Sequence, residues 1–207
     1  MPLRRVLVAN RGEIAVRIIR ACRDLGIEVV QAHSSADADT LAVKMADAAV
    51  EIGGPQASES YLKSDTLIEA AKSSGADAIH PGYGFLSENA AFSDACAAAG
   101  LVFVGPKGSV IELMGDKAMA RSLARKAGVP VTPGSADPVS DPQVAAELAK
   151  EIGFPLLIKA SAGGGGRGMR VVEEESKLRE TLESASREAL ASFGDGSVYI
   201  EKYLPNV

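Results

Sequence analysis

Lys159, the glycines Gly163, Gly164, Gly165, Gly166 and Gly168, and the arginines Arg167 and Arg170 fall within one short stretch of the chain. Their types suit the holding of a phosphate chain. Glycine lets backbone N–H groups approach phosphate oxygens and adopt positive φ, and a lysine is a compact charge that follows a phosphate as it moves. The apolar run over 154–158 reads as a strand that delivers Lys159 to the loop, and a second strand is expected over 168–172. The whole reads as a flexible flap over a triphosphate. Four glycines alone would equally make a plain hairpin; the flanking cations separate the two readings. No Gly-Lys-Ser/Thr follows at a helix start, so this is not a Walker A loop.

Two further stretches attract attention. Met114-Gly115-Asp116-Lys117 places a lysine at the start of a helix. Such a lysine is ordinarily solvated surface, but one on a loop could also meet the same phosphates from the side opposite Lys159. Ser197 to Pro205 carries Glu201, Lys202 and Leu204, and by itself reads as an ordinary strand end.

The elements that must position these residues follow from hydrophobic periodicity. A buried strand is expected over 3–9, with Asn10 able to cap a helix whose apolar face is Ile14, Ile18, Ala21, Cys22 and Leu25, stopped by Gly26. Strands over 27–32, 48–52, 76–80 and 101–104 alternate with helices over 39–45, 64–74 and 89–99. This alternation predicts βαβ units and an open, doubly wound parallel sheet, with ligand-binding turns 10–13 and 81–85 at the carboxyl ends of its strands. The first turn has one glycine where a dinucleotide fingerprint needs three, which argues against a nicotinamide or flavin role. Helices over 109–114 and 116–127 lead into a Pro- and Gly-dense segment, 129–138, that reads as a hinge. A helix (142–152), strand (156–160), strand (168–172), long helix (176–192) and strand (197–201) then predict a small α+β unit.

Composition bounds the rest. Of the 207 residues 46% are apolar and 24% charged, which suits a globular protein with a real core. The net charge of −5 argues against a nucleic-acid or anionic-membrane partner, so any polyanion must be held by a local cluster of donors. Cys22 and Cys96 lack metal or redox spacing and read as buried, reduced thiols. No apolar run has the length of a signal peptide or membrane span, so a soluble, cytoplasmic protein is expected.

Five motifs in register make a resemblance specific: Asn10-Arg11-Gly12-Glu13-Ile14-Ala15-Val16-Arg17, His80-Pro81-Gly82-Tyr83-Gly84-Phe85-Leu86-Ser87-Glu88-Asn89, Met114-Gly115-Asp116-Lys117, the 159–168 loop, and Ile200-Glu201-Lys202. In order and spacing the chain resembles the biotin carboxylases over essentially its whole length. The resemblance implies an ATP-grasp ligase, in which ATP and bicarbonate form carboxyphosphate and its carboxyl group passes to biotin. It implies a Rossmann-like, pre-ATP-grasp domain over 1–114, a helical linker and hinge over 115–134, and an incomplete ATP-grasp lid subdomain over 135–207.

Carried over by position, the resemblance gives Lys117 and Lys159 to the phosphates and Gly163, Gly164, Gly165, Gly166, Arg167 and Gly168 to a closing flap, with Met169 beside it. Glu201, Lys202 and Leu204 would line the adenine pocket. His80 and Glu88 would lie near the active-site mouth. Homodimerisation through the N-terminal region is implied, and Arg17, Arg20 and Asp24 share the polar side of the first helix, where a solvated face is the plain alternative. The implied partners are a biotin carboxyl carrier protein or domain and a carboxyltransferase subunit. The family's Mg2+ (or Mn2+), bicarbonate and biotin residues are expected C-terminal to Val207, which leaves no metal ligand in this chain and implies little turnover by it alone. Another ATP-grasp ligase, such as the carbamoyl phosphate synthetase large chain, and a non-catalytic nucleotide-binding module are the rival readings.

Overall fold

The computed structural model describes residues 2–115, 117–161 and 169–205, apart from the side chains of Lys117, Ala118 and Phe193. Two compact units result, Met1–Asp116 and Lys117–Val207. Among the described residues no helix is long and apolar enough to cross a membrane.

The first unit is a five-stranded parallel sheet of β1 (Arg5–Val8), β2 (Glu28–His33), β3 (Ala48–Glu51), β4 (Ala78–His80) and β5 (Val102–Phe103), in the order β3-β2-β1-β4-β5. Helices α1 (Gly12–Asp24), α2 (Leu41–Met45), α3 (Ser64–Ser73), α4 (Ala90–Ala98) and α5 (Gly108–Gly115) alternate with the strands or follow them. Side chains of successive strand residues point to opposite faces. Val6 and Val8 therefore join Ile18, Ile19 and Cys22 of α1 in one core layer, while Leu7 and Ile79 join Leu67 of α3 and Phe92 and Cys96 of α4 in the other. Both cysteines are free and buried, and burial raises both thiol pKa values, Cys96 to about 11.

Helix α1 differs from the expectation in two ways. Its buried stripe is Ala15, Ile18, Ile19 and Cys22, while Ala21 and Leu25 face outward. The helix ends at Asp24, Leu25 is its C-cap, and the positions that meet the sheet are i, i+3, i+4 and i+7 counted from Ala15. Asn10 does not cap the helix. The N-cap is Arg11, and the buried Asn10 amide instead donates to Pro81 O (2.6 Å) and Tyr83 O (2.8 Å), stitching the β1 and β4 exits together where the strand order reverses.

Gly82 sits against that amide at φ +65°, and a Cβ there would lie 2.8 Å from Asn10 Nδ2. Gly82→Ala is expected to destabilise the protein by about 1–3 kcal/mol, because backbone strain and the displaced amide act together. Chemical denaturation measures this; an unshifted midpoint would mean that the turn simply re-forms.

The second unit begins with α6 (Lys117–Lys126) and contains α7 (Pro142–Ile152), β6 (Leu156–Ala160), β7 (Arg170–Val172), α8 (Glu175–Phe193) and β8 (Val198–Lys202). The strands form an antiparallel sheet, β7-β6-β8. Pro142 opens α7, and the Asp141 carboxylate accepts from Gln143 N–H as its cap. Alternate residues of the strands, Leu156, Ile158, Val198 and Ile200, pack on Ala145 and Ala149 of α7 and on Leu178, Leu182 and Ala185 of α8.

Candidate functional site

Because Leu156, Ile158 and Ala160 point into the core, Leu157 and Lys159 occupy the other face of β6; likewise Tyr199 and Glu201 occupy the other face of β8. The register sets Leu157 opposite Glu201 and Lys159 opposite Tyr199, so Lys159 and Glu201 are diagonal neighbours on the face turned away from α7 and α8. They meet. Lys159 Nζ donates to Glu201 Oε2 at 2.5 Å, and Arg121 Nη1 of α6 donates to Glu201 Oε1 at 2.5 Å. Arg121 Nη2 donates to Thr132 O at 2.9 Å. One carboxylate thus holds a cation on each oxygen, and two cations against one anion leave one positive charge. The Glu201 and Arg121 side chains are 17% and 20% exposed and that of Lys159 is 37% exposed, so the lysine is the partner best able to leave.

Lys202 is engaged elsewhere. Its ammonium donates to Gly153 O (3.1 Å) and Phe154 O (2.7 Å), and its N–H to Pro133 O (2.8 Å), tying the turn before β6 to the end of β8. Its side chain therefore braces the sheet on which Lys159 sits. Met169, just before β7, and Leu204, just after β8, are exposed. Arg170 is paired with Glu188 of α8 at 2.6 Å. The Lys117 side chain and Gly163, Gly164, Gly165, Gly166, Arg167 and Gly168 lie outside the described residues.

In the first unit, His80 ends β4, half-buried, with Nδ1 accepting from Gly82 N–H at 3.0 Å. Neutral His80 therefore carries its proton on Nε2, and burial lowers its pKa below the usual histidine value. Glu88 is exposed on the turn before α4. Sequence reasoning missed the strongest polar cluster of this unit. The Arg11 guanidinium donates Nε and Nη2 to Asp37 (2.8 and 2.7 Å), and Ser34 Oγ and Tyr61 Oη donate to the same carboxylate (3.0 and 2.9 Å). The hydrogen bond from Arg11 holds the Asp37 carboxyl down at about 2. Phe85, at φ +43°, stacks on Tyr61 with ring centroids 4.9 Å apart and so fastens the 81–85 turn to this cluster.

A family model described as "Biotin carboxylase, N-terminal domain" matches residues 2–111. The chain belongs to the biotin carboxylase family. A second model, "Carbamoyl-phosphate synthase L chain, ATP binding domain", matches residues 116–207. The biotin carboxylase of Halalkalibacterium halodurans is 52% identical over 98% of this chain and 45% of its own length. That of Haemophilus influenzae is 53% identical over 99% of this chain and 46% of its own. Among solved structures, the biotin carboxylase domain dimer of Hydrogenobacter thermophilus 2-oxoglutarate carboxylase, a complex with MgADP, ADP and bicarbonate, superposes with TM-score 0.79 at 47% identity, covering 99% of this chain and 45% of that one. The chain spans less than half the length of these relatives.

Membership of the biotin carboxylase family accounts for the fold class, an α/β parallel sheet followed by a small unit with its own antiparallel sheet. Within that frame the candidate residues divide between the two units. Lys159 and Glu201 form one charged contact on β6 and β8, with Arg121 added from α6. His80 and Glu88 belong to the other unit. Among the described residues no three His, Cys, Asp or Glu side chains gather as a metal site.

Proposed function

We propose that this chain is the nucleotide-gripping portion of a biotin carboxylase, the ligase that uses ATP and bicarbonate to make carboxyphosphate and passes its carboxyl group to biotin. The observation that carries the reading is the Lys159–Glu201 contact on the half-buried face of the strand that precedes the glycine segment in sequence. The cation there has a partner it can exchange for phosphate oxygens. Phosphoryl transfer asks a protein chiefly for positioning and charge neutralisation, and the residual positive charge of the cluster supplies the second. The reading gives Lys159 and Lys117 to the phosphates and Gly163, Gly164, Gly165, Gly166, Arg167 and Gly168 to backbone contacts over them. Met169, Glu201, Lys202 and Leu204 border the adenine, with Lys202 contributing main chain, because its ammonium is committed to the 153–154 carbonyls. When bound, Mg2+ would neutralise charge on the phosphates.

The same reading carries the family's setting. It places the protein in the cytoplasm, with a biotin carrier and a carboxyltransferase as partners, and as a homodimer through the α1 face that bears Arg17, Arg20 and Asp24. Amide exchange with and without Mg-ATP tests the core of the proposal. Protection is expected at Lys159, Met169 and Leu204 and not along β1 or β2. No protection with ATP in large excess would leave a fold without the grip.

A further inference from the structure

We propose that Arg121 is a positioning residue for the Lys159–Glu201 pair, holding the carboxylate so that the lysine is free to leave it for a polyphosphate. This rests on the nucleotide reading above and adds a residue and a working order to it.

The geometry points this way. Glu201 is the most enclosed member of the cluster, and Arg121 grips its Oε1 while being anchored by the other arm of the same fork to Thr132 O. Gly134 lies beside this arrangement, since a Cβ there would come 3.0 Å from both Arg121 Nη2 and Glu201 Cγ and 2.6 Å from Ile200 O. The 132–134 segment therefore passes close enough to fix the guanidinium against β8. With Arg121 in place, departure of Lys159 leaves Glu201 with a counter-ion. Without it, departure would strand a largely enclosed carboxylate, and a charge left unpaired away from water is strongly unfavourable. The lone pair Lys159–Glu201 would then be neutral and tightly coupled, and the polyphosphate would have to break it unaided. Arg121 thus makes the lysine available without itself touching the nucleotide.

The test compares adenosine and ATP binding by the whole chain, because the ratio of their dissociation constants isolates the phosphate contribution. Arg121→Ala is expected to lower that ratio about tenfold; because Glu201 borders the adenine in this reading, adenosine binding is measured for every variant and only the ratio is compared. Adding Glu201→Gln to Arg121→Ala should restore the ratio, because the residue that detains Lys159 has lost its charge. Rescue by a second substitution is something a merely structural arginine would not show. If Arg121→Ala fails to fold, Arg121→Gln, which keeps a donor without the charge, should show the same loss and the same rescue. A ratio unchanged by either substitution, or a loss that Glu201→Gln deepens, would overturn the role of Arg121 while leaving the nucleotide site standing. Wild-type chain that binds adenosine and ATP equally well, or neither, would overturn the nucleotide reading and this inference with it.

Discussion

Asp37→Ala is expected to destabilise the first unit by about 3 kcal/mol, among the larger effects of any single substitution outside the apolar core. The carboxylate is 5% exposed and receives four hydrogen bonds from three side chains. Arg11 is half-exposed and can turn to water once its partner is gone. Tyr61 and Ser34 cannot, because they are 2% and 1% exposed. The cost therefore has two parts, the lost charge-assisted bonds from Arg11 and two buried hydroxyls left without the acceptor they donate to. Loosening Tyr61 also releases the Phe85 ring stacked on it, so the 81–85 turn should lose protection from amide exchange.

The pH dependence has a definite sign. The folded-state carboxyl titrates at about 2, below its ordinary 3.8, so its contribution is present above pH 3.8 and is lost as pH falls toward 2. That difference is worth about 2 kcal/mol. Asp37→Asn should flatten the acid limb of the stability curve in this window, as measured by urea denaturation of the whole chain at stepped pH. An Asp37→Asn protein with the wild-type acid limb would show that another carboxylate governs acid unfolding.

Much of this architecture is legible in the residues, for a physical reason. Parallel strands buried on both faces must be short and apolar, and helices between them must alternate apolar and polar sides, so runs such as Val6-Leu7-Val8 and the 142–152 pattern announce themselves. Helix α1 is harder because it offers two overlapping apolar stripes, and only the sheet beneath selects Ala15, Ile18, Ile19 and Cys22. At the candidate site, Lys159 is marked by its glycines. Glu201 is marked only by the family resemblance, since a Glu at a strand end is commonplace and only antiparallel pairing across 42 residues of sequence brings it to the lysine. Arg121 and Asp37 are invisible for the same reason. A charged residue on a helix or turn reads as solvated until long-range topology supplies its partner. One clue to Asp37 was present: it follows β2, the neighbour of β1, so it and Arg11 leave the sheet at the same edge.

Lys159→Met should reduce ATP affinity by roughly ten- to a hundredfold while leaving adenosine binding and the folded state nearly intact. A hydrogen bond to an ionised group is worth about 1.5–3 kcal/mol, which is about that range in dissociation constant. Methionine keeps most of the apolar stem on the face of β6, so the sheet loses no core packing; Leu156, Ile158 and Ala160 point the other way. Glu201 is not stranded either, because Arg121 remains on Oε1. The effect is thus confined to the ligand. Calorimetric titration of the variant with ATP and adenosine, beside a thermal melt, separates the outcomes. A loss for both ligands alike, or a large fall in melting temperature, would mean that Lys159 is a strut of the β6–β8 sheet. An ATP isotherm identical to wild type would mean that the phosphates, if held by this chain at all, are held without this lysine.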